Sequence, residues 1–250
     1  MKSKDKPKMA VVTGGSSGIG KAVCLALAGS GMSVVAVGRH EERLSSVVSA
    51  MQEVNSCPEA FYYGLSLDVT REQDMDQLRQ MINDKFGGVD VLIAAAGIGR
   101  SSGSDHLIPE STSQLSFAEW QEVISVNLNG VFLANRAVLP CMMRRKKGII
   151  INISSYPAGL EGQPYAPAYS ASKFGVAGLT ESLAAEMRPY GIKIHALFPG
   201  LTETPMTEGT ALQSRFGPSL RPESVADFIL YLVSLPENVN ISMPVIRPFM

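Results

Sequence analysis

The chain has 250 residues, 45% of them apolar and 18% charged, with a formal net charge of −1. This balance excludes a disordered segment and gives no basic footprint for nucleic acid, while the length suits one α/β domain with a substantial core. Cys24, Cys57 and Cys141 are too scattered for a disulfide framework or a metal site, and no stretch approaches the ~20 apolar residues of a membrane span, so a cytoplasmic protein without metal or transmembrane segment is expected.

Residues 9–12 form a short apolar run that reads as a strand. "TGGSSGIGK" (13–21) follows, and helical spacing starts near Gly18 and runs to residue 29. Such a strand, glycine-rich turn and helix start bring free backbone N–H groups and the positive end of a helix to one point, which suits a pyrophosphate. A plain turn using glycine for its positive φ is the alternative. "SVVAV" (33–37) is the second strand. Dinucleotide folds selective for NAD put an acid at its end, on the ribose 2′-OH. Here that position is Gly38, followed by Arg39 and, one helical turn on, Arg43. The missing acid and the two cations point to a 2′-phosphate and so to NADP(H). The alternative is a solvated helix face shared with Glu41 and Glu42.

Further strands are read at 61–69, 89–97, 148–154 and 192–200, with helical patterns at 41–54, 71–86, 117–145, 169–188 and 222–234, and a last strand in "MPVIRP". Strands apolar at nearly every position are buried on both faces, as in a parallel sheet covered by helices. The expected fold is therefore a single doubly wound, Rossmann-type α/β domain over residues 1–250. Its loosest stretch is 97–116, a long polar loop. Tyr169 and Lys173 in "YSASK" are spaced i, i+4 and share one helical face. A neighbouring ammonium favours phenolate and draws a tyrosine pKa down from ~10, toward a group able to exchange a proton with a carbonyl oxygen. The "ISS" at 153–155 ends the preceding strand, at the edge where such sheets bind ligands.

With these residues together, the chain resembles the classical short-chain dehydrogenase/reductases from about residue 9 to 235. The family's glycine motif matches Thr13, Gly14, Gly18 and Gly20, which puts Ser16, Ser17 and Ile19 in the cofactor loop as well. The resemblance implies an adenine contact at Asp68 and Val69, and cofactor contacts at Ala94, Ala95 and Gly97. It implies nicotinamide-side contacts at Pro199, Gly200, Thr202 and Thr204. It also implies a catalytic set of Asn127, Ser155, Tyr169 and Lys173, in which Lys173 holds the nicotinamide ribose and Asn127 anchors a proton-relaying water. The activity implied is NADPH-dependent, reversible reduction of a ketone to a secondary alcohol. The partners implied are a small carbonyl or alcohol substrate and a second copy, in a homodimer or homotetramer built on helices 117–145 and 169–188.

Two departures stand out. The family's Asn-Asn-Ala-Gly is here Ala94, Ala95, Ala96, Gly97, and "SSYPAG" is one residue longer than usual. Parts of the chain look similar to 3-ketodihydrosphingosine reductases, although "FPG" stands where those carry Pro-Pro. A catalytically silent NADP(H)-binding regulator is the reading of another class; such proteins commonly lose the Tyr or the Lys, and both stand here. Alternation along the strand lets only one of Ser154 and Ser155 face substrate, and Pro157 ends the ladder just beyond, which favours Ser155. Substrate contacts are expected from loops 98–116, 156–166 and 201–220.

Overall fold

Runs of branched apolar residues make the central strands, because every one of their positions must be covered. The structure, a computed structural model, describes residues 6–99, 111–208 and 217–249. Its strands are β1 (Met9–Thr13), β2 (Ser33–Gly38), β3 (Tyr62–Ser66), β4 (Val91–Ala94), β5 (Gly148–Ile153), β6 (Ile192–Pro199) and β7 (Val245–Ile246). They form one parallel sheet in the order β3-β2-β1-β4-β5-β6-β7. The order reverses between β1 and β4, and the carboxyl ends of those two strands open the crevice in which such sheets bind ligands.

Helices cover both faces, as the doubly wound pattern requires. They are α1 (Gly18–Gly29), α2 (Glu41–Glu53), α3 (Glu72–Asp84), α4 (Phe117–Ile124), α5 (Gly130–Arg145), α6 (Pro167–Met187) and α7 (Pro222–Ser234). On one face Val23, Leu27, Met51, Ile229 and Leu232 pack on Val12, Val34 and Ile93. On the other, Leu78, Ile82, Val138 and Met142 pack on Val11, Val35 and Leu92.

Three elements differ from the sequence reading. β3 is shorter than 61–69 and largely exposed, because it is an edge strand with one neighbour. The apolar run 89–97 yields only four strand residues, since past Ala94 the chain turns away into the crevice. The pattern at 117–145 is not one α-helix: a π-helical turn, Ser125–Asn129, separates α4 from α5. Such turns recur at functional sites, and this one contains Asn127.

Candidate active site

The glycine turn comes first, because its conformation is forced. Gly14 and Gly18 have φ of +69° and +51°, and a Cβ on Gly20 would fall 2.2 Å from the Gly14 carbonyl oxygen. Only glycine lets α1 begin so close to β1. The Ser17 side chain makes no cap hydrogen bond, so the first amides of α1 stay available at the crevice. The turn opens onto a cavity of about 1150 Å³, lined by Gly14, Ser16, Ser17, Gly18, Ile19 and Gly20 among others. That volume is at the upper end for ligand sites and suits a dinucleotide with a second molecule beside it.

At the β2 end of the cavity lie Gly38, Arg39 and Arg43. Both arginines are exposed, and among the described residues neither pairs with a carboxylate, Glu41 and Glu42 included. Asp68 and Val69 line the wall beyond β3. The Asp68 carboxylate accepts from the Thr70 amide at 2.9 Å and the Thr70 hydroxyl at 2.8 Å, which fixes its orientation. Ala95, Ala96 and Gly97 line the cavity after β4, but Ala94 does not. Its side chain is 1% exposed and packs with Val131 and Val176 in the core, which leaves only its backbone for the cofactor contact expected from the sequence. Its register partner is Asn152 on β5. The Asn152 amide hydrogen-bonds Asn135 of α5 and Thr180 of α6, so buried amides brace the sheet from the next strand.

The chemistry converges at the other end. Lys173 is 5% exposed, and its Nζ donates to the Ile153 carbonyl at 2.9 Å. Ser154 is also buried, with its Oγ donating to the Lys173 carbonyl at 2.9 Å. Both serines line the cavity, Ser155 the less buried of the two and near enough to Tyr169 to draw its pKa down. Burial raises the Tyr169 pKa, partly offset by Ser155, and burial lowers the Lys173 pKa to about 8. The expectation that Lys173 pulls Tyr169 toward phenolate therefore needs correcting. The ammonium is itself destabilised by burial, lies 5.5 Å from the Tyr169 ring centre and is engaged by a backbone carbonyl. Tyr169 is held in its neutral phenol form.

Asn127 is fully buried and does not line the cavity. Its Oδ1 accepts from the Ile98 amide at 2.8 Å, while Nδ2 donates to the Ile98 carbonyl and to Ser172 Oγ. The side chain ties the strand-end segment to the helix that carries Tyr169. Pro199, Gly200, Thr202 and Thr204 line the wall after β6. Of the loops expected to meet substrate, residues 100–110 and 209–216 lie outside the described residues. Ile98, Gly99, Leu115, Tyr156, Gln163, Tyr165 and Met206 do line the opening. The C-terminal Arg247, Pro248 and Phe249 line it as well. Sequence reading missed them because they reach the site only through pairing of β7 with β6; the sole local signal is that Arg247 is the one cation after Arg221.

Comparison with known proteins gives one consistent answer. The sequence model described as short chain dehydrogenase matches residues 8–214. An uncharacterized oxidoreductase of Staphylococcus epidermidis is 34% identical over 246 residues, covering 98% of this chain and 99% of that protein. One of Staphylococcus saprophyticus is 33% identical, covering 96% and 97%. Among solved structures, levodione reductase matches with a TM-score of 0.86 and 28% identity, over 96% of this chain and 95% of that one. An alcohol dehydrogenase of the archaeon Thermococcus sibiricus, complexed with 5-hydroxy-NADP, gives 0.82 and 27%, with the same coverage. A metagenomic short-chain oxidoreductase in complex with NADP gives 0.81 and 28%, over 97% of each chain.

Proposed function

The chain belongs to the short chain dehydrogenase family of oxidoreductases, and from that premise we propose that it reduces a ketone to a secondary alcohol with NADPH, and runs the reverse oxidation with NADP. The observation that carries this reading is the placing of Ser155, Tyr169 and the buried Lys173 at one end of a cavity whose other end holds two arginines with no carboxylate partner among the described residues.

The residues fit the cofactor. Amides of the turn from Gly14 to Gly20 bind its pyrophosphate, Arg39 and Arg43 bind the 2′-phosphate, and Asp68 binds the adenine end. Lys173 binds the nicotinamide ribose, with Pro199, Gly200, Thr202 and Thr204 beside the ring. When bound, the reduced nicotinamide supplies a hydride. Ser155 Oγ and the Tyr169 hydroxyl hold the carbonyl oxygen of the substrate, so that negative charge developing there meets two donors already in place. Tyr169 then gives its proton to that oxygen. Asn127 positions α6 by gripping residue 98 and Ser172.

The NADP-complexed neighbours support the choice of cofactor, and the neighbour named a reductase supports the direction. A homodimer or homotetramer is part of the same reading, supported by exposed Phe117, Phe132 and Phe174 on α4, α5 and α6. So is a cytoplasmic location, supported by three free cysteines. The test is an NADPH-oxidation screen over simple ketones, 3-oxoacyl thioesters, steroids and 3-ketosphinganine, alongside thermal shift with each cofactor. Ligand at about 100 Kd adds about 2.7 kcal/mol of stability. A larger shift with NADP than with NAD is expected, and Arg39→Asp should cut the preference roughly 10- to 100-fold, the scale of one charged hydrogen bond. Equal shifts with the two cofactors in the unaltered protein would contradict the assignment.

A further inference from the structure

The last residues of the chain put a cation at the mouth of the site. β7 pairs in parallel with the end of β6, Val245 opposite Phe198 and Ile246 opposite Pro199, and the Gly200 amide donates to the Ile246 carbonyl at 2.8 Å. This ladder carries the chain to the carboxyl edge of the sheet, where Arg247 joins the cavity wall. The two segments lie close together: a Cβ on Gly200 would meet Pro248 Cδ at 3.3 Å and Arg247 Cα at 3.5 Å. The guanidinium is then fixed by Tyr156, the residue after Ser155. Arg247 Nη1 donates to the Tyr156 hydroxyl at 3.2 Å, and Cζ lies 4.9 Å from the ring centre.

The charges around the cavity leave Arg247 without a role in holding the cofactor. Arg39 and Arg43 stand at the β2 end, Asp68 beyond β3, and Lys173 is buried against Ile153. Glu119, also on the cavity wall, accepts from the amide and hydroxyl of Ser116 in the cap of α4. Among the described residues Arg247 has no carboxylate partner. A planar guanidinium with most of its five N–H donors free and its plane held on an aromatic ring suits bidentate capture of a carboxylate.

We propose that Arg247 is a specificity-determining residue that selects carbonyl substrates carrying a carboxylate, which it binds while the carbonyl lies at Ser155 and Tyr169. The inference rests on the reductase reading, and it disfavours ketones bearing an ammonium, which the same cation repels.

Ligand selection is measured without turnover, by calorimetric titration of the protein with excess NADP. The probes are oxo acids in which two to six methylenes separate ketone and carboxylate, each compared with its methyl ester. At least one acid should bind roughly tenfold or more tighter than its ester, the scale of one charge-assisted hydrogen bond. Arg247→Gln should erase that preference, and Arg247→Lys should keep part of it. Equal binding of every acid and ester, or a preference undiminished in Arg247→Gln, overturns the proposal. Reduction by NADPH is assayed separately, so failure to turn over any ketone counts against the reductase reading and leaves the carboxylate preference measured.

Discussion

Ser154 and Ser155 are adjacent and both line the cavity, yet their burial and partners differ. Ser154 is 3% exposed and tied to the Lys173 carbonyl, whereas Ser155 is less buried and lies beside Tyr169. Ser155→Ala should therefore cost ~10²- to 10³-fold in kcat, the loss expected for one donor aimed at a developing oxyanion. Ser154→Ala should act mainly on stability, through a lost hydrogen bond of about 1 kcal/mol. Reversal of the two effects in steady-state kinetics would show the serine register to be off by one residue. The pH dependence belongs to Lys173, held near 8 by burial. Below that value the ammonium is charged and holds the cofactor's ribose most strongly; above it the charge is lost. kcat/KM for reduction should be level up to about pH 8 and fall beyond it, and a pH–rate profile that rises through pH 8 would contradict this role.

At the scale of elements, β6 carries an uncommon cost. His195 is fully buried in it, with Nδ1 at 2.7 Å from the Ile241 carbonyl and no hydrogen-bond partner for Nε2 among the described residues. Burial, and to a lesser degree Lys193, lowers its pKa below the usual 6.5, although the Ile241 contact works the other way. The unfolded chain then binds the extra proton first, so stability is fully present above pH 6.5 and is lost as pH falls through the folded-state value. His195→Gln should flatten that acid loss, as read from urea midpoints between pH 5 and 7.5; parallel slopes for the two proteins would count against it. Much of this level was legible in the sequence. The bounds of α7 and the start of α1 follow from spacing and from Gly18, and the parallel sheet follows from strands apolar at every position. The π turn was not legible, because no residue type in Ser125–Asn129 marks a wider helical turn. Nor was the exposure of β3, which depends on its having no neighbour beyond it.

At the scale of the molecule, the sheet brings to one edge groups that lie far apart in the chain: the turn after β1, the cations after β2, Ser155 after β5 and the strap after β7. Tyr169, Lys173 and the glycine turn were readable because their spacing is local. Arg247 was not, because its place depends on a strand pair formed across some 46 residues. The reductase account predicts that these groups act together in one hydride and proton transfer, and isotope transfer tests it most directly. The protein is incubated with NADPH carrying deuterium on the transferable position of C4, and with a ketone from the screen, and the product alcohol is analysed by mass spectrometry. Deuterium should appear at the carbinol carbon with the unaltered protein, while Tyr169→Phe, with NADPH affinity nearly intact, should form no alcohol above background. Alcohol formed without the label, or formed undiminished by Tyr169→Phe, would contradict the account.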